Sequence, residues 1–249
     1  MLTLIGIGLF DEKDITLRGL EAVRQAKEIY LEGYTSILSI HKEELEKLYT
    51  KTVTVLSRTD VESKIEPILQ RAKTTDICIL IIGDVFGATT HSDIYLRAKQ
   101  LSVPVRVIHN ASILNAIGST GIDLYRFGRT TTIVLPQTSY APESFYEVIT
   151  ENQQRGLHTL CLLDIKTDVQ QFMTIPQAIQ RLEEIEEKRH QKLPEKIVGC
   201  ARIAHPDQKV VYAERELLKT IEWGAPLHSI IIPAHLHEIE EQMLLSHNH

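Results

Sequence analysis

Three short segments carry residue types that can hold or position a small ligand. The first is Gly6-Ile7-Gly8-Leu9-Phe10-Asp11, which follows an apolar run and precedes an amphipathic one. It opens like the GxGxxG turn that lays a pyrophosphate on a helix N-terminus, and Glu32 ends the next apolar run about where a ribose-binding acid would stand. Its sixth position is Asp11 instead of glycine, and Glu12, Lys13 and Asp14 follow before the helix can begin. Carboxylates at that place repel a pyrophosphate. NAD is therefore disfavoured. Two readings stay open: a plain glycine turn leaving a buried strand, or the site of a nucleotide-like ligand that has no phosphate.

The second segment runs from Gly83 through Asp84, Val85, Phe86, Gly87, Ala88, Thr89 and Thr90 to His91, after the apolar run Ile77 to Ile82. Open α/β sheets place ligands at the carboxyl ends of their strands. Small residues there let a ligand approach the backbone. Asp84 can accept hydrogen bonds from hydroxyls or an ammonium group, or it can simply cap a turn. The third segment is His109-Asn110-Ala111-Ser112-Ile113, where Ser112 can cap a short helix. The tail holds His235, His237, His247 and His249, but no cysteine or paired carboxylate accompanies them to close a metal site. A solvated or capping role is the simpler reading, and no metal is expected.

These segments need a frame of strands and helices. Apolar runs alternate with amphipathic stretches along the whole chain, which predicts an α/β fold with mainly parallel sheets. Strands are expected at 2–8, 28–32, 52–56, 76–82 and 103–108, and helices at 16–27, 42–49, 61–73 and 91–101. Leu17, Leu20, Val23, Arg24 and Lys27 share one helical face, with Asp14 or Thr16 as N-cap. The pattern starts afresh near Asn110, so two domains are expected, 1–109 and 110–249. The second half reads as a short helix at 111–117, strands at 130–135, 158–164, 196–202, 209–213 and 228–232, and helices at 142–155, 174–190 and 214–221. Pro142 suits a first helical turn. Ile175, Ile179, Leu182, Ile185 and Arg189 form a stripe, and the EEIEEKR run beside it reads as a solvated face.

Composition narrows the function classes. The 249 residues include 43% hydrophobic and 24% charged, which is ordinary for a folded chain. A net charge of -6 is a poor match for a general nucleic-acid binder. No apolar run reaches the roughly 18 residues of a membrane span. The N-terminus has no basic start and no small-residue cleavage site, so no signal peptide is expected. Cys78, Cys161 and Cys200 each sit inside an apolar run and read as small hydrophobes of a cytosolic protein.

Taken together, the segments resemble one family. LTLIGIGLFDEKDITLRGLEAVRQAKEIYLEGYTSIL, GDVFGATTHSDIYLRAK, HNASILNAIGSTGIDLYRFGRTTTI, LCLLDIK and HSIIIPAHLHEIEEQML are similar to the corresponding stretches of diphthine synthases. These belong to the tetrapyrrole-methylase-like group of S-adenosylmethionine enzymes. The resemblance implies two α/β domains with S-adenosyl-L-methionine in the cleft between them, a homodimer, and a cytoplasmic enzyme. It implies methyl transfer to the amine of an aminocarboxypropyl-modified histidine on translation elongation factor 2. By family position the cofactor contacts are Leu9, Asp84, Gly87, Ser112, Ile113, Leu163, Ile203 and His228. No catalytic base is assigned. Val85 stands where the superfamily usually has proline, and the segment around Ile203 differs from the more common small-residue version. The lack of extensions leans toward the archaeal type, with three methyl groups on the amine. A tetrapyrrole C-methyltransferase of the same fold and a non-catalytic protein-binding module are the alternatives.

Overall fold

The computed structural model describes residues 1–89, 91–136 and 141–248. The chain forms two compact units, Met1–Ala116 and Ile117–His249. In the first, β1 (Leu2–Gly6), β2 (Glu28–Glu32), β3 (Thr54–Leu56), β4 (Ile77–Ile81) and β5 (Val105–Ile108) form one parallel sheet in the order β3-β2-β4-β1-β5. Helices α1 (Leu17–Gln25), α2 (Lys42–Tyr49), α3 (Arg58–Glu62), α4 (Glu66–Arg71) and α5 (Ser92–Gln100) connect the strands, and the short α6 (Ile113–Ala116) follows β5. Every residue of β1 and β4 is buried. Alternate side chains serve opposite faces. Ile5, Cys78 and Leu80 pack with Val23 of α1 and Leu45 of α2, whereas Leu4, Ile79 and Ile81 pack with Val61, Leu69 and Ile94 of α3, α4 and α5.

This topology prepares a site. β1 and β4 are neighbours, yet β1 leads to β2 on the far side of β4, and β4 leads to β5 on the far side of β1. Their outgoing helices, α1 and α5, lie on opposite faces, so a crevice opens at the carboxyl ends of the two strands.

Two helical expectations are corrected here. Leu17 is 80% exposed, because α1 rests on its Gly19 side instead. A Cβ at Gly19 would meet Ile15 at 2.9 Å and Ile5 at 3.1 Å. Thr16 is the N-cap, its Oγ1 accepting from Gly19 N at 3.0 Å. The single helix expected over 61–73 is two. Ser57 and Asp60 cap α3, which ends at Glu62, and Pro67 sits in the first turn of α4. Proline has no N–H to continue the earlier helix and suits the start of a new one.

The second unit holds β6 (Thr131–Ile133), β7 (Thr159–Leu163), β10 (Lys196–Ala201), β11 (Lys209–Glu214) and β12 (His228–Ile232) in the order β11-β10-β12-β7-β6. The sheet is mixed: β6 and β7 run parallel, and the other three ladders are antiparallel. Only residues 202–208 separate β10 from β11, too few for the crossover that parallel pairing needs. Helices α7 (Ser144–Gln154), α8 (Ile175–Arg189) and α9 (Arg215–Thr220) share one apolar cluster with this sheet. Pro142 precedes α7 instead of lying in its first turn. Two features carry no expectation from the sequence: the small hairpin β8 (Ile165–Lys166) and β9 (Gln171–Phe172), and the terminal helix α10 (Glu238–Ser246).

The α8 stripe is buried at Ile175, Ile179, Leu182 and Ile185. Its charged run is only partly solvated, because Glu186 is 1% exposed and its Oε1 lies 2.9 Å from Arg215 Nη1. The three cysteines are free and buried. Burial pushes the Cys78 thiol up to about 12 and raises those of Cys161 and Cys200 as well. None is a reactive thiolate at neutral pH. Among the described residues no helix is long and apolar enough to cross a membrane.

Candidate functional site

Three loops meet at the carboxyl end of the first sheet. Gly8 and Gly83 pair through Gly83 N–Gly8 O at 2.7 Å and Gly8 N–Gly83 O at 3.3 Å, both glycines at φ 82°. That left-handed conformation favours glycine. Asp14 reinforces it: its Oδ2 accepts from Leu9 N at 3.0 Å and Phe10 N at 2.8 Å. Leu9 is thus fixed through its backbone, as an acidic side chain turns inward to satisfy the loop's own donors.

Asp84 follows Gly83. Its Oδ1 accepts from Phe86 N at 3.0 Å, and its Oδ2 accepts from Asn110 N at 3.0 Å and faces His109 Nδ1 at 2.9 Å. Burial pushes the carboxyl up, but the N–H groups of Phe86 and Asn110 and the His109 ring outweigh it and hold the group below its ordinary value. Asp84 therefore does cap a turn, and with the same carboxylate it ties the loop after β4 to the segment after β5. Gly87 closes the same junction, since a Cβ there would meet Ser112 Oγ at 2.5 Å. Ser112 Oγ accepts from Leu114 N at 3.3 Å, so it caps α6, of which Ile113 is the first residue. Leu9, Asp84, Gly87, Ser112 and Ile113 thus all stand on the converging loops. Thr90 lies outside the described residues.

Asn110 is a residue the sequence reading did not single out by role. Its Nδ2 donates to Gly6 O at 3.0 Å and Asp14 O at 2.9 Å, joining the first loop to the third. The available signal was its position just past the β5 strand, within the His109–Ile113 segment. Glu32 is not a ribose acid. It is fully buried, and its Oε1 accepts from Tyr34 N at 2.7 Å and Thr35 N at 2.8 Å.

The second unit gathers the remaining three. Ser229 pairs with Leu162, and His228 with Ala201, so Leu163, His228 and the start of the Arg202–Ala204 turn share one end of the sheet. Arg202 at φ 52° and Ala204 at φ 72° flank Ile203 in the left-handed region, a strained arrangement for residues with a Cβ. Arg202 is held by Asp207 at 2.7 Å and by the carbonyls of Trp223 and Ala225, each at 2.7 Å. His228 Nε2 bonds Ala225 O at 3.1 Å, which leaves Nδ1 buried with no hydrogen-bond partner among the described residues. Burial lowers the pKa of this ring, and the Arg202 charge lowers it further. At neutral pH Nδ1 is an acceptor awaiting a donor. In the tail, His237 is the N-cap of α10 and His247 its C-cap, while His235 O accepts from Arg126. His249 lies outside the described residues.

Residues 1–218 match the tetrapyrrole (corrin/porphyrin) methylases. The chain belongs to this family and is by class a methyltransferase. Over 267 residues it is 43% identical to the diphthine methyl ester synthase of Homo sapiens, covering 98% of this chain and 94% of that one. The diphthine methyl ester synthase of Schizosaccharomyces pombe is 44% identical over 263 residues, covering 98% and 93%. A crystal structure of diphthine synthase superposes with a TM-score of 0.89 at 38% identity, covering 99% of this chain and 95% of that one. The two eukaryotic relatives are matched over almost their whole length. Chain length thus gives no reason to prefer the archaeal type.

Proposed function

We propose that this protein is the diphthamide-pathway methyltransferase that acts on the aminocarboxypropyl-modified histidine of translation elongation factor 2. The donor in this reading is S-adenosyl-L-methionine. The observation that carries it is identity of about 43% to diphthine methyl ester synthases along nearly the full chain. The same likeness supports a homodimer working in the cytoplasm, and it weighs against a tetrapyrrole acceptor and against a non-catalytic module.

The residues present fit such a donor. It has no phosphate, so Asp11 and Asp14 beside the glycine turn do no harm. A Cβ at Gly83 would lie 3.8 Å from Leu9 Cδ2, Ala111 O and Ser112 Cα, a small cradle lined by backbone and one apolar side chain. The buried acceptor of His228 suits an adenine amine or a ribose hydroxyl. Proposed contacts are Leu9, Asp84, Gly87, Ser112 and Ile113 in the first unit, and Leu163, Ile203 and His228 in the second. The donor supplies a methyl group already activated on a sulfonium. The chain's own residues must hold it, exclude water and align the acceptor within about 3–3.5 Å of the methyl carbon. The amine must shed a proton before each transfer, and no residue is assigned as its base. The relatives' name also favours a further methyl on the carboxylate, as an ester.

Mass spectrometry of elongation factor 2 after incubation with enzyme and donor tests the reading. Methyl groups should appear on the form that already carries the aminocarboxypropyl group and not on the unmodified histidine. A methyl released by mild alkali marks the ester. Equal labelling of the unmodified histidine, or transfer to a precorrin-like acceptor in its place, would overturn the assignment.

A further inference from the structure

Glu32 and His91 are 0% and 1% exposed, and none of the proposed contacts accounts for them. Glu32 ends β2, the neighbour of β4 in the sheet. One oxygen of its carboxylate takes the N–H groups of Tyr34 and Thr35; the other takes the Thr35 hydroxyl and stands 3.5 Å from His91 Nε2. A buried carboxylate is costly unless donors surround it, and here two amides and a hydroxyl donate to it while the His91 ring stands beside it at 3.5 Å. Burial lowers the pKa of the His91 ring, although Glu32 pulls the other way. Neither ring nitrogen makes a hydrogen bond among the described residues, so the ring meets the carboxylate through the electrostatic contact at 3.5 Å.

The place of His91 in the chain gives the pair its meaning. The described part of the loop after β4 runs from Gly83 to Thr89, and the chain is described again from His91, the N-cap of α5. The loop's upstream end is fixed by the Gly8–Gly83 pairing. Val85 is fully buried in the cluster that holds Tyr34, Leu56 and Ile94, and its carbonyl accepts from Thr89 Oγ1 at 2.9 Å. Ala88 is held at φ 60°, a conformation that alanine does not keep unaided. Asp84 and Gly87 stand inside this arch. Its downstream foot is His91, and the group that His91 meets is Glu32.

We infer that Glu32 and His91 are positioning residues: a buried strut that fixes the far end of the β4 loop and so sets Gly87 against Ser112, without touching donor or acceptor. This rests on the reading of the first-unit loops as part of the S-adenosylmethionine site.

Calorimetry with S-adenosylhomocysteine on the wild-type chain comes first; absence of binding removes that reading and the inference with it. Given wild-type binding, the variants test the strut alone. His91→Ala and Glu32→Ala should each weaken affinity by about tenfold, and the double variant should be no weaker than the worse single, because the two act as one unit. Measurements are made where circular dichroism shows each variant folded. The KM for the donor should rise with little change in kcat. His91→Gln, whose amide can donate to Glu32, should return affinity to within about threefold of wild type. If His91→Ala does not fold, Glu32→Gln takes its place. It keeps an acceptor for Tyr34 and Thr35 but turns an amide toward the ring, and it should lose affinity where His91→Gln keeps it. Wild-type affinity and KM in folded His91→Ala or Glu32→Gln, or a His91→Gln variant as weak as the alanine, would overturn the strut.

Discussion

Gly87 and Ser112 approach so closely that a Cβ on the glycine would lie 2.5 Å from the serine Oγ and 2.7 Å from its Cβ. They belong to different loops, one leaving β4 and the other β5, and the contact exists only because Gly87 has no side chain. Gly87→Ala should force the loops apart at a cost of about 1–3 kcal/mol, as overpacking does elsewhere. A lower melting temperature and weaker S-adenosylhomocysteine binding are expected. Adding Ser112→Gly should recover part of the loss by making room; if the double variant is worse than the single, crowding is not the cause.

Asp84→Asn keeps the size and removes the charge. The amide can accept from Phe86 N or from Asn110 N, but its NH2 then opposes the remaining donor. The expected loss is about 1 kcal/mol of stability, the net worth of a hydrogen bond at this half-buried site, with a fall in donor affinity. Chemical denaturation and calorimetry read the two separately. A folded Asp84→Asn with unchanged affinity would confine Asp84 to its turn.

Breaking the buried pair in the second unit should be severe. Glu186 Oε1 meets Arg215 Nη1 at 2.9 Å and Leu193 N at 2.8 Å. Arg215→Ala leaves the buried Glu186 carboxylate with only the exposed Lys192, 3.8 Å from Oε2, as a cation, which costs about 3–5 kcal/mol. Replacing both by apolar residues of similar volume should cost far less. A thermal melt of the single and double variants decides the point.

Stability should rise with pH through the histidine range. Burial lowers His91, His158 and His228 below the 6.5 that a histidine has when unfolded. Below 6.5 the unfolded chain binds more protons than the folded one, so their contribution is complete above that pH and is lost as pH falls through the window. Asp84 and Glu240 are held low by their donors against the pull of burial, and they act with the same sign only further down, in the carboxylate range. The urea midpoint should therefore drop between about pH 7.5 and 5.5, and His158→Gln should flatten part of that slope. A level midpoint across this interval would count against the histidines.

Local pattern settled much of the fold. The run from Ile77 to Ile82 predicted a strand covered on both faces, and β4 is buried at every residue. The same holds for β12, which begins and ends where expected, at His228 and Ile232. The chain also places Leu9, Asp84, Gly87, Ser112 and Ile113 just beyond strand ends, and the parallel sheet brings those ends together. Periodicity reports only which face a residue takes, not what it meets there. Asn110 reaches Gly6 across 104 positions, Arg215 neutralises Glu186 across 29, and Glu32 meets His91 from a different strand. The sequence thus determined the strands of the two five-stranded sheets, the positions of five proposed contacts beyond strand ends and the inert cysteines. Tertiary packing alone decided the partners of the buried charges, because a charge inside the protein needs a counterpart wherever the fold delivers one.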